Sequence, residues 1–130
     1  MLTPLARVRG LGSAKEGTHH FWWQRLTALA LVPLAVFCVI GLLTLTAAGQ
    51  NAADTYNTAR AWIAHPVVAV LVVVTIAMVF HHGQLGLQVV IEDYIHAEWI
   101  KLTALLTAKF AAVVFALIGI LAVLRIAVGG

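Results

Sequence analysis

Two adjacent histidines, His81 and His82, lie near the middle of a long apolar segment of the sequence. If residues 66–91 form a helix, its midpoint is near residue 79, and His82 lies roughly 5 Å beyond it at ~1.5 Å per residue. An ionisable side chain at that depth in a membrane is costly and is usually functional. Neutral imidazole is a common axial ligand of haem iron buried among helices, so iron ligation is one interpretation. The other is a histidine that is hydrogen-bonded to a neighbouring helix.

A stripe of residues continues from His82 towards the end of this segment. At about 100° per residue, the steps from His82 to Asp93 return close to a whole number of turns, so these residues share one helix face with Gly86 and Val89. Gly86 leaves a gap in which a flat macrocycle can lie against the backbone, and Gly83 adds room on an adjoining face. The alternative for the glycines is ordinary close packing of membrane helices.

The stripe ends in three polar residues, Glu92, Asp93 and Tyr94. A phenol beside a carboxylate at a membrane surface can donate a hydrogen bond to a quinone carbonyl and help to deliver protons from water. Reduction of a quinone to a quinol consumes two electrons and two protons, so such a site needs a hydrogen-bond donor and a route to water. The alternative is an interfacial tyrosine next to solvated acids.

The remaining four histidines do not supply a second buried ligand. They lie in interfacial or connecting segments: His19, His20, His65 and His96. The adjacent side chains of His81 and His82 point about 100° apart on a helix, so they cannot bind opposite faces of one iron. A second axial ligand is therefore expected from another subunit or another copy.

The composition indicates an integral membrane protein. The chain has 130 residues, of which 62% are hydrophobic and 10% charged, with a mean hydropathy of +0.99. Soluble domains carry about 25% charged residues, and a chain this short cannot bury so much apolar surface within itself. The single Cys38 excludes a disulfide framework and a cysteine-built metal site. The eight basic residues form no nucleic-acid patch.

Three apolar segments are long enough to cross a bilayer, which takes about 20 residues. We expect an all-α chain whose 130 residues form a single transmembrane anchor domain, with its helices in one bundle. The predicted spans are residues 26–48, 66–91 and 102–128. Pro33 predicts a mild kink in the first span, and Pro66 is a favourable first helical residue. The first span is a poor signal peptide because it exceeds the usual apolar core of about 7–15 residues.

Lysine and arginine residues predict the orientation. One side carries six of them: Arg7, Arg9, Lys15, Arg25, Lys101 and Lys109. The opposite side carries only Arg60 and Arg125. The amino terminus and the Tyr94 end of the second span are therefore expected in the cytoplasm. Tryptophans flank the spans, as in an aromatic belt: Trp22, Trp23, Trp62 and Trp99.

These motifs resemble the small hydrophobic membrane anchor subunits of succinate dehydrogenase, respiratory complex II. The resemblance covers nearly the whole chain. Its stronger motif is His-x3-Gly-x6-Asp-Tyr, present as HGQLGLQVVIEDY from His82 to Tyr94, and the weaker is Arg-x-Thr-Ala, present from Arg25 to Ala28. The preceding GSAKEGTHHFWWQR is similar to the amino-terminal segment of alphaproteobacterial members.

The resemblance implies roles for individual residues. His82, or alternatively His81, would be the axial ligand that this subunit contributes to a haem b shared with a companion anchor subunit, with Gly86 beside it. Tyr94 would hydrogen-bond the ubiquinone carbonyl, supported by Asp93. Arg25 would pair with a haem propionate or help to shape the quinone pocket; its alternative role is positive-inside anchoring.

The resemblance also implies partners. The chain has no dinucleotide fingerprint, flavin segment or cysteine cluster, so the isolated chain is not expected to oxidise succinate. FAD and iron–sulfur clusters would reside in a flavoprotein subunit and an iron–sulfur subunit docked on the cytoplasmic face, beside a second, cytochrome b anchor subunit. The expected location is a bacterial inner membrane, with a mitochondrial inner membrane as the alternative.

Three other functions remain open at this point. A fumarate reductase anchor would use the same chemistry in the other direction. A small proton-conducting or transporter subunit would use His81, His82 and Asp93 as a relay, although transporters usually show internal repeats and interrupted helices. A haem-free scaffold subunit is the third. Lys109 is expected to snorkel towards the surface or to pair with Glu92 or Glu98.

Overall fold

The computed structural model describes residues 4–5 and 14–129, and all regular secondary structure in this part is helical. Arg7 and Arg9, which contributed to the predicted orientation, lie outside the described residues, as does the side chain of Lys15. The four long helices are α1 (Ala14–Ala48), α2 (Ala52–Ala64), α3 (Pro66–Tyr94) and α4 (Glu98–Ala127). Of these, α1, α3 and α4 contain segments long and apolar enough to cross a membrane. The expected all-α fold with three membrane helices is confirmed.

The helices extend beyond the predicted spans. α1 begins at Ala14, α3 ends at Tyr94 and α4 begins at Glu98, whereas apolarity alone placed these limits at residues 26, 91 and 102. The reason is that apolarity marks the hydrocarbon crossing, while backbone hydrogen bonding continues through the polar interfacial turns. α1 also runs through Pro33 as one helix.

The connection between the first two spans contains a helix, α2, that the sequence analysis did not predict. The Asn51 side chain caps it by accepting a hydrogen bond of 2.9 Å from the backbone N–H of Asp54. Trp62 ties the helix to α1, because its ring stacks on Phe37 with 5.5 Å between ring centroids and fills the space beside Gly41. The segment is therefore a short helix packed on the end of α1.

α3 is the central membrane helix and packs on both of the others. Towards α1, the Sγ of Cys38 lies 3.8 Å from the Oγ1 of Thr75. Towards α4, Phe80 stacks on Phe115 with 6.3 Å between ring centroids. Within the described part of the chain, α1 and α4 do not pack on each other. The arrangement is therefore open, and α3 keeps two faces that neither neighbour covers.

Most of the membrane-helix surface is exposed. Only 11%, 6% and 6% of the most apolar windows of α1, α3 and α4 are buried within the chain. A water-soluble protein would not leave this much apolar surface uncovered. The chain is therefore a multi-pass membrane protein whose helices are covered by lipid or by other protein.

Candidate functional site

The site begins with a hydrogen bond between two membrane helices. The Nδ1 atom of His82, on α3, lies 3.1 Å from the Oγ1 atom of Thr27, on α1. Thr27 is the most buried polar residue of the described chain, with 2% of its surface exposed. The contact therefore fixes one ring nitrogen of His82 in a dry environment.

The other contacts of Thr27 determine which atom donates. Its hydroxyl lies 2.7 Å from the carbonyl oxygen of Trp23 and 3.1 Å from that of Gln24. A hydroxyl has a single proton, and the shortest contact assigns it to the Trp23 carbonyl. The Nδ1–H group of His82 then donates to Thr27, which leaves the Nε2 atom of His82 with a free lone pair. This is the tautomer that metal-binding histidines adopt when their other nitrogen is hydrogen-bonded.

His81 lies in different surroundings. It is exposed, and its ring meets Trp23 edge to face, with 6.2 Å between ring centroids and 89° between ring planes. It also lines a cavity between α3 and α4 together with Gln84 and Lys109. The two adjacent histidines therefore serve different surfaces of α3, and the Thr27 contact belongs to His82 alone.

The glycines of α3 leave space beside His82. A Cβ atom added to Gly83 or Gly86 would meet nothing within 4 Å. By contrast, a Cβ on Gly41 would collide with Trp62, and one on Gly119 would approach Ile76 to 3.3 Å. Close packing inside this chain therefore does not explain the two α3 glycines, and the space fits a flat group that reaches α3 from outside.

The side chains near His82 that the structure describes can supply one ligand to a metal. In residues 4–5 and 14–129, no group of three histidine, cysteine, aspartate or glutamate side chains is placed to hold a metal ion. One imidazole and an open glycine face fit a haem with one axial ligand from this chain. Within the described residues, they do not fit a metal ion bound by several side chains of this chain.

Asp93 and Tyr94 form the last turn of α3, about 16 Å from His82 at ~1.5 Å per residue. Both are exposed, and 79% of the Tyr94 surface is accessible. The phenol and the carboxylate are therefore both accessible at the end of a membrane helix.

Arg25 lies away from His82. Its guanidinium carbon is 4.6 Å from the centroid of the Phe21 ring on the same helix, and its side chain is exposed. It is about 200° from Thr27 around α1. The structure does not bring Arg25 to the His82 ring.

Sequence reasoning gave Thr27 no role beyond its place in a motif. Threonines in apolar helices commonly bond their own backbone, as Thr44 does with the Gly41 carbonyl at 2.8 Å. Composition cannot distinguish a threonine that bonds its own helix from one that bonds a neighbouring helix. The signal that was present is the position of Thr27 two residues after Arg25, at the start of an uncharged run.

The glutamines of α3 were also missed. The Nε2 atom of Gln84 donates to the Oε1 atom of Gln88 at 3.3 Å, and the Nε2 atom of Gln88 donates to the Oε1 atom of Glu92 at 2.8 Å. The i, i+4 spacing of polar residues is visible in the sequence, and it predicts such a row.

Known proteins resemble this chain over most of its length. A family model described as succinate dehydrogenase/fumarate reductase transmembrane subunit matches residues 1–121. The succinate dehydrogenase hydrophobic membrane anchor subunit of Rickettsia bellii is 31% identical over 109 residues, which cover 84% of this chain and 82% of the relative. The succinate dehydrogenase membrane anchor subunit of Porphyra purpurea is 31% identical over 119 residues, covering 92% and 94%. No solved structure gives a significant match.

Proposed function

Because the chain belongs to the succinate dehydrogenase/fumarate reductase transmembrane subunit family, as one of its membrane anchors, we propose that it binds haem b and forms part of a ubiquinone-reduction site. The proposed enzyme is a succinate:ubiquinone oxidoreductase. The relatives named for succinate dehydrogenase favour this direction of electron flow over fumarate reduction.

The observation that carries the haem proposal is the contact between Thr27 and His82. It supports His82 over His81 as the axial ligand, because it holds one ring nitrogen and leaves Nε2 free. The open space at Gly86 supports a flat ligand on the same side of α3. A bound haem would supply a one-electron redox centre inside the membrane.

Other subunits complete the proposed assembly. A companion cytochrome b anchor subunit provides the second axial ligand, because the adjacent His81 and His82 cannot bind opposite faces of one iron. FAD and the iron–sulfur clusters belong to a flavoprotein subunit and an iron–sulfur subunit. They dock at the membrane surface that carries Asp93 and Tyr94, and the remaining surface of the anchor contacts lipid.

The quinone chemistry assigns a role to each exposed residue at the end of α3. The Tyr94 hydroxyl donates a hydrogen bond to a carbonyl oxygen of ubiquinone and orients the ring. Asp93 accepts protons from surface water and passes them towards that oxygen. Two electrons from the iron–sulfur subunit and two protons from water convert the quinone to the quinol. Arg25 is the candidate partner of a haem propionate or of the quinone pocket.

Charge distribution supports a proposed orientation. In the topology predicted from the sequence, six lysine or arginine residues fall on the side of Tyr94 and two on the other side, which favours a cytoplasmic amino terminus. We assign the chain to a bacterial inner membrane, with a mitochondrial inner membrane as the alternative.

The visible spectrum of the purified complex tests the proposal. We expect the reduced-minus-oxidised difference spectrum to show haem b bands in the complex that contains this chain. A spectrum without haem contradicts the ligand assignment, but it leaves the quinone site to be judged by activity.

Replacing Thr27 by Val tests the role of its hydroxyl. The change keeps the side-chain volume but removes the acceptor for the Nδ1–H group of His82. Loss of an outer-shell partner typically weakens metal binding roughly 10–100-fold, so we expect the complex to lose haem more readily. The ligand also becomes less basic, so the midpoint potential of the remaining haem rises.

Two variants make this result specific. Thr27→Ser retains the hydroxyl and is expected to preserve haem content and midpoint potential. Thr44→Val removes a hydroxyl that bonds only its own helix and should change neither quantity. If Thr27→Val loses haem without any shift in potential, Thr27 holds the helices together but does not tune the ligand.

A further inference from the structure

The indole ring of Trp62, on α2, lies against the face of α1 that packs on α3. At about 100° per residue, Thr27, Cys38 and Gly41 fall within an arc of about 60° around α1. Thr27 and Cys38 both contact side chains of α3. On the same face, a Cβ atom added to Gly41 would lie 2.5 Å from the Trp62 ring. The ring therefore occupies space on the α3 side of α1 that the absence of a side chain at position 41 leaves open.

Trp62 is packed more closely than the tryptophans that flank the other spans. Its ring stacks on Phe37 with 5.5 Å between ring centroids, and α2 packs on all three membrane helices. Trp62 is half-buried, whereas Trp22 and Trp99 are 66% and 83% exposed. A tryptophan that only anchors a helix at the membrane surface needs no such contacts. The packing indicates that Trp62 acts as a spacer where α2, α1 and α3 meet.

The spacer and the Thr27 contact lie on opposite sides of Cys38 along α1. At ~1.5 Å per residue, Thr27 is about 16 Å from Cys38 along the helix axis, and Gly41 is about 5 Å from it. α1 is continuous over Ala14–Ala48, so it can pivot as one rod about the contact of Cys38 with α3. Since Thr27 is the more distant of the two, a displacement at Gly41 becomes roughly three times larger at Thr27.

The contact between Thr27 and His82 is sensitive to a displacement of this kind. The two side-chain atoms are 3.1 Å apart, and a side-chain pair separated by about 3.6 Å no longer forms a hydrogen bond. Helices approach each other to a distance that the side chains at their contact determine. If the ring at Gly41 is removed, α1 and α3 close together beside it, and their other ends, at Thr27 and His82, separate.

We propose that Trp62 is a positioning residue for the haem ligand. Its ring spaces α1 from α3 beside Gly41 and thereby keeps Thr27 at hydrogen-bonding distance from His82. Trp62 acts on the ligand through α1 and Thr27. The inference rests on the proposed ligation of haem by His82, and it extends the groups that set the ligand to a helix outside the membrane spans.

Replacing Trp62 by Ala tests the spacer in the purified complex. We expect the change to reproduce the effect of Thr27→Val. The midpoint potential of haem b should rise, and the complex should lose haem roughly 10–100-fold more readily, as expected for loss of an outer-shell partner. Trp62→Phe keeps a ring against Phe37 but fills less space, so its shift in potential should be smaller and in the same direction. If Trp62→Ala does not assemble, Trp62→Phe is the deciding variant.

A double variant tests whether Trp62 acts through Thr27. Two changes that affect the same interaction do not add, whereas independent changes do. Thr27→Val combined with Trp62→Ala should therefore have the midpoint potential of Thr27→Val alone. If the two shifts add, Trp62 does not act through Thr27 and the proposal is overturned.

Two further variants are the matched controls. Trp99→Ala removes an exposed tryptophan, and it should leave the potential unchanged. Gly119→Ala brings a Cβ atom to 3.3 Å from Ile76 between α4 and α3, which disturbs helix packing away from α1. It should also leave the potential unchanged. A shift in either control equal to that of Trp62→Ala overturns the proposal, because any disturbance of packing would then suffice.

The contact of Cys38 with Thr75 shows whether the helices remain together in Trp62→Ala. Cys38 is the only cysteine of the chain, and its Sγ atom lies 3.8 Å from the Oγ1 atom of Thr75. In a Thr75→Cys background, oxidation should join the two thiols with or without Trp62→Ala, as measured by maleimide labelling of free thiols after denaturation. Loss of this cross-link in Trp62→Ala overturns the proposal, because Trp62 would then simply hold the helices together.

The unmodified complex separates this inference from the proposed function. If it contains haem b and the potential does not respond to Trp62→Ala, the spacer role is overturned and haem ligation stands. If it contains no haem, haem ligation is contradicted and the inference falls with it.

Discussion

The His82→Ala variant is expected to reduce the haem b bands of the purified complex to background, whereas His81→Ala keeps them. His82 is the histidine whose Nδ1 atom is held by Thr27 and whose Nε2 atom is free. Alanine removes the ligand itself, and the adjacent His81 lies on a different surface of α3. The measurement is the reduced-minus-oxidised difference spectrum, normalised to the amount of flavin in the complex.

His81→Ala is the matched control, because it removes an imidazole at nearly the same depth. It takes away the edge-to-face contact with Trp23 and part of the cavity wall near Lys109, but no axial ligand. Loss of the haem bands in His81→Ala with retention in His82→Ala would reverse the assignment. Full retention in both variants would exclude this chain as a source of the ligand.

The Tyr94→Phe variant is expected to lower succinate–ubiquinone reductase activity by about 100-fold, the lower range for loss of a group that assists proton transfer. Phenylalanine keeps the ring at the membrane surface but lacks the hydroxyl that donates to the quinone carbonyl. Succinate oxidation with an artificial dye that takes electrons before the quinone should be unchanged. Both activities are measured on the same membranes.

The other tyrosine of the chain provides the control. Tyr56 lies on α2, on the far side of the membrane from Tyr94, and is 65% exposed. Tyr56→Phe should leave both activities unchanged. If Tyr94→Phe lowers the dye-linked and quinone-linked activities equally, the variant impairs assembly and Tyr94 has no special role at the quinone.

The membrane fold could be predicted because composition and length leave few alternatives. Three runs of about 20 apolar residues require three crossing helices. Their ends could not be predicted, because Glu92 and Glu98 remain helical in the polar interface where the hydropathy signal has already stopped. α2 was missed for a related reason. Its stability depends on the Asn51 cap and on Trp62 packing against α1, and only the structure shows that packing.

The part of the candidate site that lies on one helix could be predicted from the helical period. His82, Gly86 and Asp93 share a face of α3 by arithmetic alone. Contacts between helices have no such period. The pairing of Thr27 with His82 joins residues that are 55 positions apart, and Lys109 and Gln84 line the same cavity because of how α3 and α4 pack. A single sequence does not show how two helices are aligned against each other.

The open arrangement of α1, α3 and α4 has a consequence for the life of the chain before assembly. A newly inserted chain exposes His81 and Lys109 on its membrane helices. Exposed ionisable groups within membrane segments are costly, so we expect an unassembled copy to be less stable than an assembled one. The cellular level of this chain is therefore set by the supply of its partners as well as by its own synthesis.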